Sequence, residues 1–345
     1  MKKNNRRLST VFKIAFTYIG SVIGAGFASG KEIYNFFIQY GEKGLIGLVL
    51  AGALFIGGGV AFMGLARRHR VSSYYQLFYK LFGKRAGYVI DIVYIIFILG
   101  SISIMLAGSG YIFEQALGVN YNIGVLFTLA IVLITIGFGV KGVFLLNTLL
   151  IPFLIVIIIV TSLFHLNCDS IQVVGSSFDS RGMPWIISGI IYVAFNLFLA
   201  LAILSSISAE VREGKVVKLG GFLGGGFLTL ILLLMGIALF RHVSDISYAE
   251  MPMLIMADKI GPLLHGTYMV GIWSAMVTTA VANAYGFINR VVPLFRLSFY
   301  NAAMLTIVVV LPLTRLGFAN LVKYLYPVYG VVAFVVLVLM IIKGR

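Results

Sequence analysis

The sequence predicts an all-α membrane protein: ten transmembrane helices in a five-plus-five inverted repeat, with helices 1 and 6 discontinuous. Three observations lead there. The 345-residue chain is 61% apolar and only 11% charged, with a mean hydropathy of +1.06, whereas soluble domains run at about 45–50% apolar and about 25% charged. Its apolar runs approach the roughly 20 residues that cross a bilayer, and they divide into ten. The first run is interrupted by Gly20-Ser-Val-Ile-Gly-Ala-Gly-Phe-Ala-Ser-Gly30, which should not be helical throughout.

In order, the helices are expected at 11–39 (interrupted), 44–66, 87–115, 122–140, 144–165, 184–208 (interrupted), 217–240, 264–288, 297–313 and 319–342. The ninth is the shortest. An odd-numbered repeat must invert in the membrane, so helices 1–5 (about 9–166) and 6–10 (about 184–342) are expected to be inverted copies within one domain, 1–345. Corresponding interruptions in the two halves point to a solute site. Helix 6 supplies its half less plainly: Tyr192-Val-Ala-Phe-Asn196-Leu-Phe-Leu-Ala200 has a polar Asn196 at mid-depth but no central glycine. The bland alternative is an asparagine bonded to a neighbouring helix. Gly220-Gly-Phe-Leu-Gly-Gly-Gly226 opens helix 7 and suits close packing or a hinge. Ser247 to Ile260 reads as a short helix capping an outer vestibule.

Charge sets the orientation. Of the 26 basic residues, 19 fall at one end of the bundle when the N-terminus is inside, a positive-inside bias that puts both termini in the cytoplasm. The basic residues sit in short loops, where they meet anionic lipid headgroups; scattered in this way, the net charge of +15 does not describe a nucleic-acid surface. A single cysteine, Cys168, excludes an intrachain disulfide, and four scattered histidines give no metal-ligand spacing. The basic start and following apolar run imitate a signal peptide, but removing them would leave an odd number of spans. Gly30-Lys31 imitates a phosphate loop, yet position 25 is Ala and Glu32 replaces the Ser/Thr that would hold Mg²⁺.

The interruption carries the chemistry. Glycine costs about 1 kcal/mol against alanine in a helix interior, and unwound backbone in hydrocarbon is tolerated only inside protein or beside a cavity. Free N–H groups around Gly26 to Gly30 suit a carboxylate, while opened carbonyls from Gly20 to Gly24 suit a cation or ammonium, with Gly24, Ala25, Phe27 and Ser29 as further solute contacts. Ser21 and Ser29 add hydroxyls. The alternative is helix packing, since Gly20/Gly24 and Gly26/Gly30 both have Gly-x-x-x-Gly spacing. Glu32, at membrane depth, is a functional candidate by default, as an outer gate or a proton site. Asp91 is a candidate inner gate or interfacial salt bridge. No paired carboxylates, His cluster or nucleophile–base spacing points to an enzyme.

Gly20 to Gly30 followed by Lys31-Glu32-Ile33, then Phe36-Phe37 and Tyr40-Gly41, resembles the first helix of YkvI-type bacterial membrane proteins. These are relatives of the amino acid–polyamine–organocation superfamily, with the LeuT-type repeat. The resemblance implies a substrate between helices 1 and 6 and a sodium site between helices 1 and 8. Its carbonyls would come from Gly20 and Ile23. Helix 8 contains Ser274-Ala-Met-Val-Thr-Thr279, in which Ser274 and Thr278, four apart, share a face. With Thr279 they offer neutral oxygens for Na⁺; the alternative is that such hydroxyls bond their own backbone. Helix 5 lacks the lysine that replaces sodium in proton-coupled relatives. By position Tyr192 resembles the aromatic lid and Phe198 a pocket wall, with Phe195 and Ser101 as further lining. The expectation is a secondary transporter of a small amino acid or amine-like solute, coupled to Na⁺. A solute-sensing receptor subunit on the same fold is the alternative. Oligomeric state is not legible.

Overall fold

The computed structural model describes residues 2–71, 73–138, 140–166, 184–211 and 213–344; Cys168, Arg212 and Arg345 lie outside them. Every regular element among these residues is helical. Helix 1 comes in three pieces, Lys2–Val22, Ala25–Ala28 and Lys31–Phe36. Then follow helix 2 (Glu42–Arg68), helix 3 (Tyr74–Leu117), helix 4 (Tyr121–Gly137) and helix 5 (Val140–Leu166). The second half holds helix 6 (Trp185–Glu210), helix 7 (Gly214–Arg241), helix 8 (Pro262–Phe295), helix 9 (Phe299–Thr314) and helix 10 (Phe318–Lys343). An even number of spans puts both termini at one end, here termed basal; the other end is apical.

Packing follows the repeat. Exchanging helices 1–5 with 6–10 maps the contacts of helix 2 with 7, and of 3 with 8, onto themselves. It also exchanges the 1–7 contact for the 6–2 contact, and all four are extensive. Lipid chains offer helices no hydrophobic reason to associate, so close approach through small residues does it. The glycine run of helix 7 does this on two faces. Gly220 and Gly224 meet helix 1 at Ile14, Ala15 and Tyr18, while Gly221 and Gly225 meet helix 2 at Val60 and Ile56. A Cβ at Gly225 would lie 2.6 Å from the Ile56 Cα, so the motif is a packing seam.

Two helices depart from expectation. Helix 6 is unbroken from Trp185 to Glu210, which corrects the expected discontinuity. With no glycine or proline between Tyr192 and Ala200, nothing lowers helix propensity there. The Asn196 amide instead donates to the Tyr192 carbonyl one turn back, at 3.1 Å. Helix 3 starts a dozen residues early, because a basal segment beginning at Tyr74 runs into it across Gly83, whose φ of 77° only glycine adopts readily. At the apical end Pro252–Asp258 forms a short helix, tied to helix 1 by the Met253 N–H donating to the Ser29 carbonyl at 2.9 Å.

Candidate functional site

The break in helix 1 builds the site. The Ile23 N–H still donates to Ile19 and the Gly24 N–H turns back to Val22, both at 2.9 Å. Gly24 is extended (φ −100°, ψ −171°). No backbone carbonyl among the described residues accepts from the N–H groups of Ala25, Gly26 or Phe27, and the carbonyls of Gly20, Ser21 and Ile23 lose their usual donors four residues on. A second kink follows at Gly30, where φ is 78° and a Cβ would also press on Met253. Ser29 braces it: its hydroxyl donates to the Gly26 carbonyl at 3.1 Å and accepts from the Lys31 N–H at 3.3 Å.

Beside the first kink lies a cavity of about 50 Å³, taken as the space open to the centre of a water-sized sphere. Helix 1 lines it with Gly20, Ser21, Gly24 and Glu32, helix 3 with Ser101, helix 6 with Phe195 and Asn196, helix 8 with Thr278, Thr279 and Asn283, and helix 10 with Tyr326. Thr279 comes closest to the break, its Oγ1 lying 3.7 Å from where a Gly24 Cβ would stand. The Asn283 amide donates to the Ser101 hydroxyl at 2.8 Å. The Thr278 hydroxyl donates to the Ala275 carbonyl at 3.1 Å. Phe195 stacks on Tyr326 with ring centroids 4.5 Å apart. The hollow is small, with hydroxyl, amide and carboxyl groups set among apolar side chains.

The remaining candidates fall around this hollow. Ile23 and Ser274 are buried but outside its lining. Ala25, Gly26 and Phe27 are buried along the short middle piece of helix 1. Tyr192 packs edge-on to Phe37 at 5.0 Å, above the cavity and facing Glu32. Phe198 is not among the lining residues: it sits among Phe78, Tyr94 and Phe97 of helix 3 and its basal extension, because it lies on the flank of helix 6 that packs against helix 3. Glu32, read from sequence as an outer gate or a proton site at membrane depth, lies against the cavity. The kink at Gly30 turns its helix so that the carboxyl reaches back to the cavity, leaving the side chain 3% exposed. Asp91 forms a buried ion pair across the basal end, accepting from the Arg290 Nε at 2.7 Å, and the Arg290 guanidinium lies over the Tyr75 ring at 4.1 Å.

Two polar lining residues, Asn283 and Tyr326, were missed from sequence, along with the apolar Val22, Met105, Leu199, Ile203 and Ala282. Asn283 carries a legible signal, lying four residues beyond Thr279 on the same face of helix 8. Tyr326 carries none, since it is one aromatic in an apolar helix and reaches the site through the packing of helix 10 against helices 6, 3 and 1.

This fold and site define a LeuT-fold membrane protein, and the comparisons agree. MhsT in complex with L-phenylalanine superposes with a TM-score of 0.70 at 17% identity, covering 96% of this chain and 86% of that one. Mhp1 in an inward-facing conformation gives 0.68 at 17% identity, over 96% of this chain and 75% of that one. A mutant manganese transporter of Eremococcus coleocola gives 0.60 at 14% identity, over 97% and 78%. At these identities the likeness is one of fold. No protein-family profile matches. In sequence, the chain is 32% identical over 336 residues to the uncharacterized membrane protein YkvI of Bacillus subtilis (strain 168), covering 93% of this chain and 92% of the relative. It is 24% identical over 328 residues to the uncharacterized protein YyaD of the same strain, covering 94% of each. The chain belongs to the YkvI membrane-protein family.

Proposed function

We propose that this protein is a secondary active transporter moving a small amino acid or amine-like solute across the cytoplasmic membrane, with Na⁺ as coupling ion. The observation that carries the reading is the kink at Gly24, which opens onto a polar cavity walled by helices 3, 6, 8 and 10. Unpaired backbone at that depth is costly unless a ligand or water satisfies it. The solute would sit against Gly24, Ser101, Phe195 and Asn196. Sodium would take neutral oxygens, from the Gly20 and Ile23 carbonyls on helix 1 and from Ser274, Thr278 and Thr279 on helix 8. Bridging those two helices, the ion would favour one arrangement of helix 1 and the solute would then permit closure, as alternating access requires. The basic basal end faces the cytoplasm in this reading.

A melting screen of the purified protein against amino acids, amines and nucleobases, each in Na⁺ and in K⁺, selects a solute. Its labelled form is then followed into proteoliposomes with and without a Na⁺ gradient. Accumulation above equilibrium that needs the gradient is expected. Equal accumulation in both conditions would remove sodium, and binding without accumulation would favour the receptor alternative.

A further inference from the structure

The assignments above leave Glu32 unused. Its side chain lines the cavity, is 3% exposed, and its Oε2 has no hydrogen-bond partner. No ion pair among the described residues includes it. The neighbouring Lys31 turns away, donating its Nζ to the Ala249 carbonyl of the apical loop at 2.5 Å. The side chains facing the carboxyl are neutral: Tyr192, Asn196 and Tyr326. Those three side chains can hydrogen-bond the carboxyl but bring no charge, and a buried carboxylate is costly without a paired charge, so it is relieved either by taking up a proton or by a ligand that brings the positive charge.

Position sharpens the point. The Glu32 carboxyl lies against Gly26, where any Cβ would collide with it. That is the stretch of helix 1 expected to receive a carboxylate from the solute. A carboxylate of the protein stands there already, and a second one in a cavity of about 50 Å³ would meet like charge.

We propose that the solute is a cation, a primary or substituted ammonium carrying no carboxylate, and that Glu32 is its counter-ion. This rests on the cavity being the solute site and narrows the class of solute from the alternatives given above. Phe195 and Tyr326 add an aromatic wall to the cavity, while Ser101 and Asn196 offer oxygens to the cation's N–H groups.

Matched pairs test it on the full chain in detergent, with binding read by calorimetry: ethylamine against L-alanine, isobutylamine against L-valine, phenethylamine against L-phenylalanine. In at least one pair the amine is expected to bind about tenfold or more tightly than its amino acid, a difference of about 1.4 kcal/mol. Glu32→Gln should weaken that amine by a similar factor, and Glu32→Asp, which keeps the charge, should retain part of the affinity. Amine binding to the unsubstituted protein should also fall as acid neutralises the carboxyl, a pH dependence that Glu32→Gln removes. Amino acids binding as well as their amines would overturn the proposal while leaving the solute site standing. An affinity for amines that Glu32→Gln and Glu32→Asp both leave unchanged would overturn it too. Failure of all six probes to bind would overturn it together with the amine class of solute.

Discussion

Thr278 shows how much a single hydroxyl can be asked to do. It donates its proton to the Ala275 carbonyl, the habit that keeps isolated threonines compatible with membrane helices. A hydroxyl has two lone pairs besides its proton, so that bond leaves the oxygen able to ligate a cation from the cavity wall. Under the sodium reading, Thr278→Ala removes one ligand of several and keeps the helix. The expected outcome is about a tenfold rise in the Na⁺ concentration needed for half-maximal uptake, with the melting temperature in K⁺ unchanged. An unchanged Na⁺ dependence would take Thr278 out of the ligand set. Single residues were unevenly legible. Ser274, Thr278 and Thr279 declare themselves by polarity and spacing in an apolar helix. The direction of Glu32 depends on a φ of 78° two residues earlier, which no pattern of residue types specifies.

Helix 7 is held by what it lacks. Its glycines let helices 1 and 2 approach to backbone contact, so added volume has nowhere to go. Gly225→Ala is expected to cost about 1–3 kcal/mol by overpacking against the Ile56 backbone, seen as a lower melting temperature in detergent. Gly226→Ala is the control, because nothing lies within 4 Å of a Cβ there, and it should melt at or slightly above the unsubstituted protein, since alanine favours the helix. The glycine run was legible as packing, whereas the break expected in helix 6 by correspondence with helix 1 is absent, the Asn196 amide donating to Tyr192 within the helix. The apical ends of helices 5 and 7 meet through His165 Nδ1 and His242 Nε2, 3.1 Å apart. Burial, with His165 and Lys259 beside it, holds the His242 imidazole below the usual histidine range, outweighing the pull of Asp245. Unfolded, that ring titrates near pH 6.5. The unfolded chain therefore takes up the proton first as pH falls, and the stability present above that pH is lost below it. Melting is expected to drop between pH 8 and 5.5, and to drop less in His242→Asn. Equal slopes for the two proteins would contradict the assignment.

At the scale of the molecule, helix 1 is tied down apically and the cavity lining reaches toward the basal side. The Lys31–Ala249, Ser29–Met253 and Ala28–Tyr268 hydrogen bonds pin helix 1 to the apical cover, and Phe36, Phe37 and Tyr192 wedge beneath it. The lining includes the more basal Ser21, Ile203 and Asn283, and, further along helices 3 and 8, the Asp91–Arg290 pair spans the two. Most of the ten-helix plan was readable because a membrane demands long apolar runs, and those runs have few alternative endings. Which residues share the cavity was readable only in part. Tyr326 and the seat of Phe198 follow from how whole helices lean, information spread over the entire bundle.

The central claim is that the kink at Gly24 opens the place where solute is carried. Gly24→Leu tests it most directly, since a side chain there would grow toward Thr279 and Met105 and fill the space. Gradient-driven uptake of the selected solute into proteoliposomes should be lost in Gly24→Leu while its melting temperature without solute stays at the unsubstituted value. Undiminished uptake by that variant would contradict the account.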